Sequence, residues 1–162
     1  MSAAVSTSSN NSDDSQRIYV IKERQIRTYY EDGFRKRAAC LCFKDKSQTE
    51  LLLISSNRYK DKWIIPGGGV EPNEDIRITA TREVLEEAGA LGKIERLLGE
   101  VENKDKKTRT TVFTFIVTDL SEEWEDNKNL GRQREWFTIE EAREKLAHSS
   151  QVNYLNLLTN PY

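Results

Sequence analysis

A chain of 162 residues, 36% of them hydrophobic and 32% charged, is long enough to bury one core and too short for two ordinary domains. The net charge of −2 selects no class of partner, because acidic and basic residues are unevenly spread. The single histidine, His148, excludes a multi-histidine zinc site and argues against a Ser-His-Asp arrangement, so in an enzyme the acid–base work would fall to carboxylates and metal.

Residues 1–16 are mostly Ser, Asn, Ala and Asp and are read as a disordered tail, with residues 17–162 as one domain. The first residues lack the apolar core of a secretory signal, and no run approaches transmembrane length. Lys36–Phe43 and Glu50–Ser55 are predicted strands around a polar turn. Cys40 and Cys42 alternate in the first strand and point to one face, as buried reduced thiols would, which fits a cytoplasmic or nuclear setting. The apolar run Trp63–Ile65 is stopped by Pro66 and three glycines. Pro72-Asn73 opens the main helix with Asn73 as its cap, and Gly89 ends it. Thr81, Val84, Leu85 and Ala88, with Ile78 one turn earlier, are its predicted core face. Ile94–Val101 and Arg109–Thr118 are predicted strands joined by a basic loop, followed by a short strand at Glu135–Phe137. Thr138 and Glu141 have capping-box spacing ahead of a helix with Ile139, Ala142 and Leu146 on one face, and a last short helix is predicted over Val152–Leu158.

The chemistry concentrates between Gly68 and Gly89. Helical spacing brings Glu83, Glu86 and Glu87 to one side, and three like charges stay together only if a cation joins them. A solvated acidic stripe is the plain alternative, but such a helix has no need of the Pro-Gly-Gly-Gly loop before it. Glycines 67 to 69 let backbone approach a metal or a phosphate closely.

Gly68, Glu74, Arg82-Glu83, Glu86-Glu87 and Gly89 match G-x5-E-x7-R-E-U-x-E-E-x-G-U, where U is bulky and apolar, with Ala90 a weak final U. The segment thus resembles the Nudix signature. The resemblance implies an α+β fold, an αβα sandwich with a mixed sheet between helices, and metal-dependent hydrolysis of a diphosphate linked to a further group. It implies Gly67, Glu83 and Glu87 as metal ligands and Glu86 as a ligand or as the base that activates water, with Mg²⁺ or Mn²⁺ as the ion. Glu74 and Arg82 are expected to pair and hold the loop on the helix.

Basic residues gather in five places: Arg27; Arg35-Lys36-Arg37; Arg58, Lys60 and Lys62; Lys104 to Arg109; Arg132 and Arg134. Any one of these is ordinary solubilising charge, but together they favour a polyanion. KRAACLCF, SSNRYKDKWIIPGGGVEPNE, ENKDKKTRT and EWEDN…GRQREWF resemble segments of the diphosphoinositol polyphosphate phosphohydrolases, over about residues 27–146. By that resemblance Arg27, Arg35, Arg37, Ser56, Arg58, Lys106 and Arg132 contact inositol phosphates, and the β-phosphate is removed. Two departures stand out: Ser149-Ser150 occupies the place of a lysine in relatives, and Lys106 that of an arginine in some.

The group's other substrates, diadenosine polyphosphates, inorganic polyphosphate and capped RNA, remain alternatives, as does a non-catalytic domain that binds inositol phosphates or RNA. Tyr30, Tyr59 and Trp63 are available to stack on a base, with Trp63 read as core. No membrane partner is implied, and a monomer is expected.

Overall fold

The computed structural model describes residues 26–59 and 61–158, so the predicted tail and Lys60 lie outside the described residues. The elements are β1 (Arg35–Phe43), β2 (Glu50–Ser55), β3 (Trp63–Ile64), β4 (Gly67–Gly69), α1 (Ile76–Ala88), β5 (Ala90–Asn103), β6 (Thr108–Leu120), α2 (Glu125–Leu130), β7 (Arg134–Thr138), α3 (Ile139–Leu146) and α4 (Val152–Asn156). Among the described residues no helix is long and apolar enough to cross a membrane.

β1 reads as a nearly continuous apolar run because it is buried on both faces. Ala38, Cys40 and Cys42 meet Ala80, Val84 and Ala88 of α1 in one core, while Ala39, Leu41 and Phe43 meet Ala142, Leu146 and Leu155 in a second. Helices therefore cover both faces of the sheet, the expected αβα layering. Both cysteines are free, and burial pushes the Cys40 thiol up to about 12.

The sheet is mixed. β1 runs parallel to β6 along its whole length and antiparallel to β2 and β4. Its second edge is divided: Cys42 and Phe43 pair with β2, whereas Arg37, Ala38 and Ala39 pair with Gly69, Gly68 and Gly67. This division sets the three glycines beside the strand that carries Arg35 and Arg37.

Helix α1 departs from the expected reading in two ways. Its cap is Asp75, whose carboxylate accepts from the Arg77 N–H at 2.8 Å, and Asn73 lies outside in a left-handed turn at φ 63°. Its core face is also rotated: Ile78 is 59% exposed and Leu85 44%, while Thr79, Ala80, Glu83, Val84 and Ala88 are buried. Ala80 and Ala88 are small enough to let the helix lie close on the sheet, and that approach turns Glu83 inward. The helix ends as expected at Gly89, whose φ of 63° is the left-handed geometry a glycine supplies without strain.

β5 and β6 extend beyond the predicted strands, and register shifts interrupt β5. Helix α2 was not predicted; it begins at Trp124 with no side-chain cap, so no start signal marks it. The Thr138–Glu141 capping box forms, and α4 stops two residues short of the predicted end.

Candidate active site

Glu83 and Glu87 project from the inner side of α1 against β4. The Gly67 N–H donates to Glu87 Oε1 at 2.8 Å. At Gly68 a Cβ would overlap the carboxylate of Glu83, so only glycine lets that side chain lie along the strand. We expect Gly68→Ala to fold, because the side chain it displaces is flexible at its end, and to lose about 10-fold or more in turnover through that displacement. Thermal melting alongside steady-state kinetics separates the two effects, and unimpaired turnover would contradict the assignment.

Arg82 is the hub of the acidic cluster. Its Nε and Nη2 grip the two oxygens of Glu74 at 2.7 and 2.9 Å, forming the expected ion pair in bidentate form. Nη1 lies 3.1 Å from Glu83 and 3.3 Å from Glu86, and Nη2 donates to the Gly69 carbonyl at 3.4 Å. The Thr79 hydroxyl and the Glu71 N–H also donate to Glu74, so the loop is tied to the helix at several points.

Two of the three box carboxylates are held in surroundings that oppose their charge. Burial raises Glu83, and burial followed by the charge of Glu83 pushes Glu87 up to about 8. Arg132 is the compensating cation nearest Glu87, at 3.9 Å. Adjacent buried carboxylates, a neighbouring third one and a backbone without Cβ make a hard-oxygen donor set of the kind a divalent cation takes. Among the described residues no three His, Cys, Asp or Glu side chains are posed around one ion position. Glu83 and Glu86 are instead drawn to Arg82, and Glu87 to the Gly67 N–H.

A basic cleft adjoins the carboxylates. Arg35, Arg37 and Lys106 line a cavity of about 270 Å³, and Ser56, Arg58 and Lys106 line another of about 420 Å³. Five of the seven predicted substrate residues are thereby brought together. Arg27 is exposed, and its charge, like that of Arg37, lowers the pKa of Arg35 after the larger effect of burial. Arg35 Nε is buried without a hydrogen-bond partner, and the Arg35 guanidinium fills the space where Gly69 lacks a Cβ. Ser56 Oγ accepts from the N–H groups of Arg58 and Tyr59, which shapes the loop carrying both.

Arg132 stands apart from these five. It is only 6% exposed, its Nη2 bonds Asp126 at 3.1 Å and its Nη1 donates to the Ser55 carbonyl at 2.8 Å. Its Nε, like that of Arg35, is buried without a hydrogen-bond partner, and its Nη2 faces Glu87 at 3.9 Å. Two other members of the basic clusters also have structural partners. Arg134 stacks on Trp124 at 3.9 Å and donates to the carbonyls of Ala88 and Ser121, closing the C-terminal end of α1. Arg109 is held by Asp32 and Glu102.

Sequence reasoning missed Asp126, the buried partner of Arg132, and Trp124, whose Nε1–H donates to the Glu87 carbonyl at 2.8 Å. It also missed Asn103 and Gln151, which line both cavities. Asp126 lies only six residues before Arg132, whereas the contacts of Trp124, Asn103 and Gln151 join distant segments that no spacing marks.

The NUDIX domain family matches residues 33–158. The chain is 51% identical over 145 residues to diphosphoinositol polyphosphate phosphohydrolase 2 of Rattus norvegicus, covering 86% of this chain and 81% of that one. It is likewise 51% identical over 146 residues to diphosphoinositol polyphosphate phosphohydrolase 3-alpha of Mus musculus, covering 86% and 89%. Among solved structures, a NUDIX hydrolase from Nitrosomonas europaea superposes with a TM-score of 0.60 at 25% identity, covering 76% of this chain and 85% of that one. The E. coli ORF135 protein superposes with a TM-score of 0.57 at 21% identity, covering 76% and 87%, a likeness of fold alone.

Proposed function

The chain belongs to the NUDIX domain family, whose hydrolases depend on divalent metal, and on that premise we propose that it removes the β-phosphate from diphosphoinositol polyphosphates. The observation that carries the substrate class is Arg35: a guanidinium crowded by Arg27 and Arg37, with Nε buried and unpartnered at the wall of a basic cleft. Such a cluster of like charge is stabilised when a polyanion joins it.

Arg35, Arg37, Arg58 and Lys106 bind the non-reacting phosphates, with Arg27 at the rim and Ser56 holding the Arg58 loop. Arg132 supports the site from beneath through Glu87. Glu83, Glu87 and the Gly67 carbonyl would hold Mg²⁺, with Mn²⁺ as the alternative, which when bound neutralises phosphate oxygens and polarises water. Glu86 accepts the proton of the attacking water. Oxygen of that water bonds to the β-phosphorus as the bridging P–O bond breaks, so inorganic phosphate leaves and the inositol keeps a phosphate monoester. Arg82 holds Glu83 and Glu86 in place.

A second reading rests on Tyr59, which is exposed and lines the larger cavity beside Arg58, where the base of a diadenosine polyphosphate would stack. A capped RNA would use the same platform, for which one ring is a small stacking surface. We infer a reducing cytoplasmic or nuclear setting, supported by the two buried free thiols.

The test is phosphate release from a diphosphoinositol polyphosphate with Mg²⁺, scored against a diadenosine polyphosphate in one assay. Much faster release from the inositol compound supports the proposal. Preference for the dinucleotide retires the inositol reading but keeps the carboxylate chemistry, and turnover of neither favours a binding domain.

A further inference from the structure

The wall between the two cavities is built from a hydrogen-bonded line that joins three distant segments. Asn103 Nδ2 donates to Ser150 Oγ at 3.1 Å, while its Oδ1 accepts from the Lys106 N–H at 3.1 Å. One amide thus spans from the β5–β6 turn to the loop before α4, using both its ends. On the far side, Ser149 Oγ accepts from the Gln151 N–H at 3.1 Å, and Gln151 Oε1 accepts from the Ile65 N–H at 2.7 Å. Ile65 is buried two residues before Gly67, whose N–H holds Glu87. Asn103, Lys106, Ser150 and Gln151 all line both cavities.

We propose that Asn103, Ser150 and Gln151 form a positioning strap that fixes the Lys106 turn over the cleft and divides it into an inner and an outer phosphate subsite. The proposal rests on reading the cleft as a polyphosphate site. Lys106 is exposed and sits on a four-residue turn, so its ammonium is well placed only if its backbone is. Asn103 supplies that restraint from within the turn, and Ser150 supplies it from across the cleft. Without the Ser150 contact the amide of Asn103 is held only by the Lys106 N–H, and the turn keeps only its own local bonds. The inner subsite then loses a fixed cation, while Arg35 and Arg37, mounted on β1, stay in place. Ser150 itself is exposed, so removing its hydroxyl leaves both cores untouched.

The test uses the full chain as wild type, Ser150→Ala and Ser150→Thr, with inositol hexakisphosphate as a non-reacting probe. Losing one hydrogen bond of this kind corresponds to about 3- to 10-fold in affinity. We expect Ser150→Ala to bind the probe that much more weakly by calorimetry, and to speed hydrogen exchange at the amides of residues 103–107. In turnover its KM rises more than its kcat falls, and Ser150→Thr restores both binding and exchange. Weaker binding with unchanged exchange would make Ser150 a direct ligand contact and overturn the strap, as would a Ser150→Ala protein that matches wild type in both. Failure of the wild type to bind the probe would retire the polyphosphate reading of the cleft. In that case exchange alone decides: faster in Ser150→Ala supports the strap, and unchanged overturns it.

Discussion

Replacing Glu86 with Gln leaves the protein folded and lowers its turnover by about 10²-fold or more, the scale of one lost transition-state contact. Glu86 is half-buried on α1, with Oε1 3.3 Å from Arg82 Nη1. Glutamine has the same length and keeps an oxygen for Arg82, so the packing of the helix survives. It has neither the charge nor the basicity to take a proton from water. A 10²-fold loss corresponds to about 2.7 kcal/mol of barrier. The check is kcat of the purified variant beside its melting temperature. A folded variant with near-normal kcat would reduce Glu86 to an ion-pair partner of Arg82. A large fall in stability with kcat preserved would assign it the same purely structural role.

The box was legible because its chemistry is local. Glu74 stands just before the cap Asp75 and Arg82 on the second turn of α1, so their pairing needs only the short loop folded back on the helix. The orientation of α1 was not legible, because Ile78 and Leu85 satisfy the apolar spacing of a buried stripe and are exposed. The observed orientation sets Glu83 against Gly68, a contact between segments whose pairing is set by β1. A buried carboxylate and a buried threonine defeat any reading that equates core with apolar. The cap shifted from Asn73 to Asp75 for a related reason. Both residue types cap helices, and the choice is made by the left-handed turn at Asn73.

The basic clusters divide along the same line. Sequence order places Arg35, Arg37, Arg58 and Lys106 far apart, and the sheet gathers them around the cleft. Arg109, Arg132 and Arg134 are indistinguishable from these as letters. Arg109 is taken up by Asp32 and Glu102 and Arg134 by the Ala88 carbonyl, partners set by the assembled sheet and helix, while Arg132 pairs with Asp126 six residues before it. An arginine's partner is a tertiary fact, so a count of basic residues overstates what a ligand meets.

Removing Arg82 is expected to cost more stability than any other change in the box. Its side chain is 22% exposed and touches Glu71, Glu74, Glu83, Glu86 and the Gly69 carbonyl. Arg82→Ala leaves those carboxylates facing one another without the cation that joins them, at a cost of about 2–4 kcal/mol for a partly buried group. That corresponds to a fall of about 5–15 °C in melting temperature for a domain of this size. Arg82→Lys restores the charge but not the two-pronged grip on Glu74, so it recovers only part of the loss. The pH dependence identifies the cause. Hydrogen bonding from Arg82 holds Glu74 down to about 2 from an ordinary 4.5, so its contribution is complete above about pH 4.5 and is lost as pH falls toward about 2. The stability gap between wild type and Arg82→Ala therefore narrows over that window. Excess Mg²⁺ raises the melting temperature of the variant more than that of wild type, because the carboxylates released from Arg82 are free to take a different cation. A variant that melts with wild type, or a gap that stays constant from pH 5 to pH 2.5, would show that Arg82 decorates the acidic cluster and does not hold it together.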